Sequence, residues 1–298
     1  MAGNTEPLSP RAKLAVTAGK AAAAVSRAAG RGSGSVIGGK VALRLDPDLL
    51  GALAQHLDVV LVSATNGKTT TTRLIAEALR ASGPVVSNAL GANMPAGITS
   101  ALAGGSDAKY GVIEVDEKYL AGVARDVTPK VIALLNLSRD QLDRAAETRM
   151  LAEKWREGLQ GSKAVIVANC DDPLIVWSAS SSQNVVWVAA GQEWKDDAWS
   201  CPSCGGVMQR PGDDWFCGEC GFRRPAPQLG ALRRPRPGPA RLGLADPPPA
   251  ARPRQQGERR DLGRRGRRVR GAAAGRAGAD VPGAGRRRTL RRGELPGP

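Results

Sequence analysis

A strand-to-helix turn constrains the fold of this chain more than any other feature. The apolar run 59–62 precedes the tripeptide Gly-Lys-Thr at 67–69, and helical periodicity follows it. This order is typical of loops that hold nucleotide phosphates, because backbone N–H groups and the helix dipole point at the anion. In such a loop Lys68 would reach the β- and γ-phosphates and the Thr69 hydroxyl would bind Mg²⁺. Val62 stands where the general pattern has its first glycine, so an ordinary turn remains the alternative.

Charge is distributed unevenly along the chain. The net charge of +15 is concentrated in residues 223–298, which hold 21 Arg and 5 acidic residues, whereas residues 1–222 hold 22 basic and 23 acidic residues. The front part therefore has the composition of an ordinary globular protein. Residues 223–298 lack Lys, Ile and aromatic residues, so they cannot bury enough apolar surface to offset chain entropy. We expect a disordered, low-complexity Arg/Pro/Gly-rich tail there.

The origin of this tail leaves two interpretations open. An abrupt change to Arg, Gly, Pro and Ala near residues 225–229 is what a GC-rich gene yields when it is read in the wrong frame, and this frameshift interpretation is favoured. Alternatively, an Arg/Gly-rich tail binds RNA or DNA through phosphate contacts. Combined with the two Cys-x-x-Cys pairs at residues 201–220, which are typical of a zinc site, the second interpretation would describe a zinc-ribbon nucleic-acid-binding protein.

The remainder of the chain predicts an α/β fold with a mostly parallel sheet. Short apolar strands alternate with helices, which favours parallel strands covered on both faces. We assign residues 1–40 to an N-terminal helix and a Gly/Ser-rich linker, and residues 41–222 to the sheet domain. The predicted strands are 59–62, 84–87, 110–115, 130–135, 164–168 and 185–189, and the predicted helices are 11–29, 71–81, 96–103 and 147–160, with a loop at 30–39.

No segment predicts insertion into a membrane or export across one. The apolar runs are far shorter than the ~20 residues that span a bilayer. The N-terminus also lacks the long apolar region of a secretory signal. We therefore expect a cytoplasmic protein without a transmembrane segment.

Polar residues follow several of the predicted strands. The phosphate loop, Glu114, Asn136 and Asn169 all come at strand carboxyl ends, where the ligands of parallel sheets bind. A carboxylate opposite a phosphate loop is well placed to hold Mg²⁺, although Glu114 begins an acidic run and a surface position is the alternative. The segment 169–173 would present an amide and the Asp171 carboxylate to a nucleoside, or form only an Asx-type turn.

Four cysteines form the second motif. Cys201, Cys204, Cys217 and Cys220 make two Cys-x-x-Cys pairs. This spacing is typical of a Cys₄ zinc ribbon, here over residues 199–222, in which zinc has no open position and is structural. Disulfides are the alternative, which the absence of an export signal disfavours. The fifth cysteine is expected to be buried and inert.

Together these motifs resemble the Mur ligases, the ATP-dependent amide-forming enzymes of cell-wall synthesis. Residues 64–70, Ala-Thr-Asn-Gly-Lys-Thr-Thr, are similar to the Gly-Thr-Asn-Gly-Lys-Thr-Thr loop of the family. The Cys₄ ribbon and the segment 139–144, Arg-Asp-Gln-Leu-Asp-Arg, resemble the branch of the family that amidates lipid II. The resemblance covers about residues 10–225.

The resemblance implies a reaction, cofactors and a partner. ATP would phosphorylate the α-carboxylate of D-glutamate in the lipid II stem peptide, and ammonia from a GatD-like glutamine amidotransferase would give D-isoglutamine. Because lipid II is the substrate, the protein would work at the inner face of the membrane. By motif match, Lys68 and Glu114 would be catalytic, and Thr69 and Glu114 would bind Mg²⁺. The ATP-binding residues would be Thr65, Asn66, Gly67, Lys68, Thr69, Thr70, Asn169 and Asp171.

The chain also departs from the family pattern. Ala64 replaces the first glycine of the loop, and Gln141 stands where many Mur ligases have a metal-binding histidine, which puts a second Mg²⁺ site in doubt. The likeness stops near residue 225, whereas family members continue into a further domain, so we expect a truncated and impaired synthetase. A different Mur-type ligase, which joins an amino acid to a peptide or folate, is the alternative within the family, and the zinc ribbon disfavours it.

Overall fold

A parallel sheet forms the centre of the fold. The computed structural model describes residues 7–30, 32–88, 92–138, 145–192 and 198–230. The strands in these ranges are β1 (Asp58–Ser63), β2 (Val85–Ser87), β3 (Tyr110–Glu114), β4 (Val131–Leu134), β5 (Val165–Asn169), β6 (Val185–Ala189), β7 (Met208–Gln209), β8 (Phe216–Cys217) and β9 (Leu229–Gly230). Seven of them are ordered β2-β3-β1-β4-β5-β6-β9, with every neighbouring pair parallel, and β7 pairs with β8 in a separate antiparallel hairpin.

Helices connect the strands of this sheet. The described ranges contain α1 (Pro10–Ala28), α2 (Ser35–Leu45), α3 (Leu49–Ala54), α4 (Lys68–Arg80), α5 (Pro95–Leu102), α6 (Leu120–Val127), α7 (Ala145–Leu159) and α8 (Pro173–Ala179). Helices α4 to α8 each join two consecutive strands between β1 and β6, because parallel strands require a crossover connection. Among these helices, none is long and apolar enough to cross a bilayer.

The predicted fold class is confirmed in its main part, an α/β architecture with a parallel sheet. For each of the six predicted strands, the first and the last residue lie within one position of those observed for β1 to β6. The strands are apolar because helices cover both faces of the sheet, and their central side chains are fully buried, among them Leu61, Val112, Ile132 and Ile166. The short helices α3, α6 and α8 were not predicted, since six to eight residues carry little helical periodicity.

The predicted loop at 30–39 is wrong from residue 35 onward, where α2 begins. Gly38 and Gly39 lie inside this helix and are buried. A Cβ atom on Gly39 would lie 1.7 Å from the Ala96 carbonyl oxygen, and one on Gly38 would lie 2.6 Å from the Gly19 carbonyl oxygen. These glycines therefore allow α2 to pack closely against α5 and α1.

The predicted tail begins too early. Residues 223–230 were assigned to it by composition, but they contact the sheet domain. The Gln228 N–H donates to the Trp187 carbonyl at 2.9 Å, and β9 pairs with β6. Residues 231–298, which hold the rest of the predicted tail, lie outside the described residues.

We predict that Gly39→Ala lowers the free energy of unfolding by about 1–3 kcal/mol, because the added Cβ overlaps the Ala96 carbonyl and α2 must move away from α5. Urea denaturation followed by circular dichroism measures the change. The matched control is Gly122→Ala in α6, where a Cβ would meet no atom within 4 Å. That substitution should stabilise the protein by about 0.5–1 kcal/mol, and equal midpoints for the two variants would contradict the close packing.

Candidate functional site

The loop between β1 and α4 makes a tight turn at the carboxyl edge of the sheet. Gly67 has a φ of 85°, a left-handed conformation that favours glycine, and α4 starts at the next residue, Lys68. The N–H groups in the first turn of an α-helix have no partner within the helix, and the helix dipole makes this end partly positive. The geometry that an anion requires is therefore present, and phosphate binding at this turn stays a prediction.

The Lys68 ammonium is held inside this loop. Its Nζ donates to the Ala64 carbonyl and, at 3.1 Å, to the Thr65 carbonyl. It also forms an ion pair with Glu117, with 3.1 Å between Nζ and Oε2. Only 12% of the Lys68 side chain and 15% of the Glu117 side chain are exposed, so water screens this pair less than a surface pair. The ammonium is therefore already oriented toward the inside of the loop.

Glu114 and Thr69, predicted together as Mg²⁺ ligands, are in direct contact. Thr69 Oγ1 donates to Glu114 Oε2 at 2.8 Å, and Asn93 Nδ2 donates to the other carboxylate oxygen at 3.1 Å. Asn88 bonds to both backbone groups of Glu114, at 2.7 and 2.8 Å. Glu114 is 4% exposed, so the alternative of a surface position is wrong. A hydroxyl beside a carboxylate is a suitable oxygen donor set for Mg²⁺.

Paired asparagines join the phosphate loop to the loop after β4. Asn136 Oδ1 accepts from the Asn66 N–H and Asn136 Nδ2 donates to the Asn66 carbonyl, both at 2.9 Å. Asn66 Nδ2 also donates to Ser138 Oγ at 2.9 Å. Asn66 thus has a structural function besides the ATP contact predicted for it. The segment 139–144, which includes Gln141, lies outside the described residues.

A cavity of about 760 Å³ opens beside the phosphate loop, a size typical of small-molecule sites. The phosphate loop and the carboxyl ends of β4, β5 and β6 line it, with Asn66, Gly67, Thr71, Asn136, Asn169 and Gln192 among the lining residues. Thr69, Thr70 and Glu114 line a neighbouring cavity of about 510 Å³. Six of the nucleotide-site residues predicted above therefore line one of the two cavities, whereas Thr65, Lys68 and Asp171 line neither.

Asn169 lines the larger cavity, whereas Asp171 does not. Asn169 Nδ2 donates to Gln192 Oε1 at 2.7 Å. The Asp171 carboxylate accepts from the N–H groups of Gly191 and Gln192 at 2.7 and 3.1 Å, and from Arg224 at 2.7 and 3.0 Å. These contacts favour a positioning role for Asp171 over the predicted direct contact with ATP.

The segment 169–173 also has a structural function. Asn169 Oδ1 accepts from the Asp171 N–H at 3.0 Å, which is the predicted Asx-type turn. Asp172 Oδ1 caps α8 by accepting from the Leu174 N–H at 2.8 Å, and its Oδ2 accepts from the Leu137 N–H at 2.9 Å. Burial raises the pKa of the Asp172 carboxyl to about 6. This side chain therefore connects α8 to the loop after β4.

The four predicted cysteine ligands lie together. Their Sγ atoms are all within 4.8 Å of one another, with 3.6 Å between Cys201 and Cys220 and 3.5 Å between Cys204 and Cys217. All five cysteines are free thiols, so the disulfide alternative is wrong. Four thiolates at ~2.3 Å from a zinc ion would be about 3.8 Å apart. The cluster therefore has the size and the donor set that zinc requires, and zinc itself stays a prediction.

The protein environment acts unequally on these thiols. Burial raises the pKa of Cys201 to about 12. A hydrogen bond from the Phe222 backbone N–H lowers the pKa of Cys220 to about 7. A dication bound in the cluster would favour the thiolate form of all four of its cysteines, because metal binding displaces the thiol protons.

A buried tryptophan joins the cysteine cluster to the sheet domain. Trp215 is 1% exposed, and its Nε1 donates to the Cys170 carbonyl at 3.0 Å. Cys170 is buried, as predicted, and burial raises the pKa of its thiol to about 11, which disfavours the reactive thiolate. The apolar contact between the two parts is formed by Cys170, Val176, Cys201, Met208, Trp215 and Cys217.

Several contacts of the site were not predicted. Asn88 directly follows β2. Asn136 and Asn169 were predicted because they lie at the carboxyl ends of strands, and the same criterion would have identified Asn88. The sequence analysis gave Glu117 no role beyond its place in the acidic run that begins at Glu114, and it assigned Arg224 to the tail. No local pattern indicates Asn93 or Gln192, because their importance depends on contacts with distant segments.

Comparison with known proteins supports the family resemblance. Residues 62–200 match the Mur ligase middle domain. This match confirms the resemblance to the Mur ligase family that the sequence motifs predicted. A solved structure, the pseudomurein peptide ligase type C from Methanothermus fervidus, resembles 59% of this chain and 38% of its own chain at 24% identity, with a TM-score of 0.46.

Within the family, the chain is similar to subunit MurT of the glutamine-hydrolysing lipid II isoglutaminyl synthase. It is 34% identical over 227 residues to the protein from Staphylococcus aureus (strain COL), covering 70% of this chain and 52% of the relative. It is 29% identical over 214 residues to the protein from Streptococcus pneumoniae, covering 65% of this chain and 48% of the relative. The chain spans about half the length of the curated relatives that it matches.

We predict that the chain binds a single equivalent of Zn²⁺ and that Cys204→Ser abolishes tight binding, because a hydroxyl is a poor substitute for the fourth thiolate. Metal analysis after gel filtration measures the zinc content, and metal removal should lower the melting temperature of the wild-type protein. Cys170→Ser is the matched control, since this sulfur is not part of the cluster, and it should retain zinc. Equal zinc contents in the two variants would rule out the four-cysteine site.

Proposed function

We propose that this chain is the ATP-binding synthetase subunit of an enzyme that amidates lipid II. The observation that carries this proposal is the arrangement around the start of α4. The turn at Gly67 lines a cavity large enough for a nucleotide, and the contacting pair Thr69 and Glu114 lines the neighbouring cavity. The Lys68 ammonium is held in the loop between them. The likeness to MurT supports the choice of reaction.

In the proposed arrangement ATP occupies the larger cavity with its phosphates at the start of α4. The Lys68 ammonium now bonds to Glu117 and to the loop carbonyls. When ATP binds, it would replace some of these bonds with bonds to phosphate oxygens. Thr69 and Glu114 would hold Mg²⁺, which supplies positive charge to the phosphates when it is bound. Asn169, which lines the same cavity, would lie near the adenosine.

The proposed reaction has two steps. A carboxylate oxygen of D-glutamate in the lipid II stem peptide first attacks the γ-phosphorus of ATP, which gives an acyl phosphate and releases ADP. This activation is needed because a free carboxylate is a poor electrophile, whereas phosphate is a good leaving group. Ammonia then attacks the acyl phosphate, which gives D-isoglutamine and inorganic phosphate. Lys68 would neutralise the charge that develops on the transferred group.

A partner would supply the ammonia. We propose a GatD-like glutamine amidotransferase, because the relatives are named as subunits of a glutamine-hydrolysing synthase. Since lipid II is anchored in the bilayer, the complex would act at the inner membrane surface. In this proposal the cysteine cluster holds structural zinc and takes no part in the chemistry.

Lys68→Ala is predicted to raise the Kd for Mg·ATP by roughly 10- to 100-fold, because a charge-assisted hydrogen bond to phosphate is lost. Isothermal titration calorimetry measures the affinity. Lys118→Ala, which removes an exposed ammonium nearby, is the matched control and should bind ATP as the wild type does. A folded Lys68→Ala protein with wild-type affinity would show that the loop does not bind phosphate.

A chimera tests the reaction. In it, the region of this chain that matches Staphylococcus aureus MurT replaces the corresponding region of that protein. With GatD, glutamine, lipid II and Mg·ATP, we expect the chimera to form D-isoglutamine, detected by mass spectrometry of the stem peptide. The same chimera with Lys68→Ala should not. A folded chimera that binds ATP but leaves lipid II unchanged would contradict the proposed reaction.

A further inference from the structure

We propose that a metal ion in the cluster of Cys201, Cys204, Cys217 and Cys220 tightens the nucleotide cavity through Arg224 and Asp171, so that metal and nucleotide stabilise each other's binding. The inference rests on the proposed function in one respect, namely that the cavity takes a nucleotide. Arg224 and Asp171 act here as positioning residues, since neither lines the cavity or belongs to the cysteine cluster.

The first step leads from the cysteines to Arg224 along a hydrogen-bonded hairpin. The Cys217 N–H donates to the Phe222 carbonyl at 2.7 Å, and the Arg224 N–H donates to the Trp215 carbonyl at 3.0 Å. The Gly221 N–H donates to the Cys217 carbonyl at 3.1 Å and closes the turn between them. Because one ion would fix the separation of all four sulfurs, it would also fix this hairpin and the position of Arg224.

The second step is the ion pair between Arg224 and Asp171. Arg224 Nη2 and Nε both donate to Asp171 Oδ1, at 2.7 and 3.0 Å. The two side chains are 15% and 11% exposed, so solvent screens their attraction only in part. Loss of Arg224 would leave the Asp171 carboxylate largely desolvated without its counter-charge, which strongly favours a rearrangement of Asp171.

The third step leads from Asp171 to the cavity wall. Asp171 Oδ2 accepts from the Gly191 and Gln192 N–H groups at 2.7 and 3.1 Å, while its own N–H donates to Asn169 Oδ1 at 3.0 Å. Asn169 and Gln192 bond to each other at 2.7 Å, and both line the cavity. A displaced Asp171 would therefore release two adjacent parts of the wall together.

Packing that does not require metal keeps the ribbon on the sheet domain. Trp215 bonds to the Cys170 carbonyl, and Phe222 lies against Trp215 and Trp177 with ring centroids 5.2 and 5.8 Å away. Metal loss therefore need not detach the ribbon. We expect it to loosen the hairpin that carries Arg224 and to weaken ATP binding by roughly 3- to 30-fold, and the coupling must be reciprocal.

Hydrogen–deuterium exchange of the full chain tests the inference independently of ATP. Chelation of the metal and Arg224→Ala should each speed exchange of the Gly191 and Gln192 amides, which lose their common acceptor. Arg223→Ala is the matched control, because Arg223 is exposed and its Nε donates to the nearby Gly221 carbonyl at 3.3 Å. The Leu61 amide, in the centre of the sheet, reports global unfolding and should stay protected.

The Kd for Mg·ATP is measured on the same samples. In Arg224→Ala, chelation should add little to either effect, because the connection is already broken. Unchanged exchange at Gly191 and Gln192 in Arg224→Ala would overturn the inference, whether or not ATP binds. A second outcome separates the two proposals. If the wild type does not bind ATP but exchange of the Gly191 and Gln192 amides still speeds up after chelation, the proposed function is contradicted. The inference that the metal holds the cavity wall in place is then supported. Should chelation unfold the sheet, Cys204→Ser replaces it as the metal-free sample.

Discussion

The parallel pairing of β1 with β3 and β4 determines where the candidate site residues lie. Val62 is opposite Glu114 and Ser63 is opposite Leu134, so the loops after these strands leave the sheet at one edge. A shift of one residue between β1 and β3 would turn Glu114 to the other face of the sheet and break its 2.8 Å contact with Thr69. Asn88 supports the register, because it bonds to both backbone groups of Glu114.

The cysteine ribbon depends on the same sheet, at the end of the strand order where β6 and β9 lie. It is inserted between β6 and β9, and the returning strand pairs with β6 at the sheet edge. A segment of this size cannot bury a core of its own, so its stability requires a metal or a neighbouring surface. The sheet domain provides such a surface around Cys170, next to the strand end that carries Asn169, and Trp215 of the ribbon packs against it. The ribbon is thus adjacent to the candidate nucleotide site although it supplies none of its lining.

Much of this arrangement could be predicted from the sequence. The strands β1 to β6 are apolar runs bounded by polar residues or turns, which is why their ends were predicted within one residue. Gly38 and Gly39 were misassigned, because glycine at a close helix contact cannot be told from glycine in a loop without knowing what packs against it. Arg224 was missed for a similar reason, since Asp171, its partner, is 53 residues away and composition alone placed Arg224 in the tail.

By itself the sequence determined the parallel α/β fold, the turn at Gly67 and the grouping of the four cysteines, because each depends on residues that are close together in the chain. Only the tertiary structure decided that Lys68 pairs with Glu117, that Thr69 touches Glu114 and that Asp171 bonds to Arg224. These contacts join segments 45 to 53 residues apart. Which of them form depends on strand order and register, and no local pattern encodes those directly.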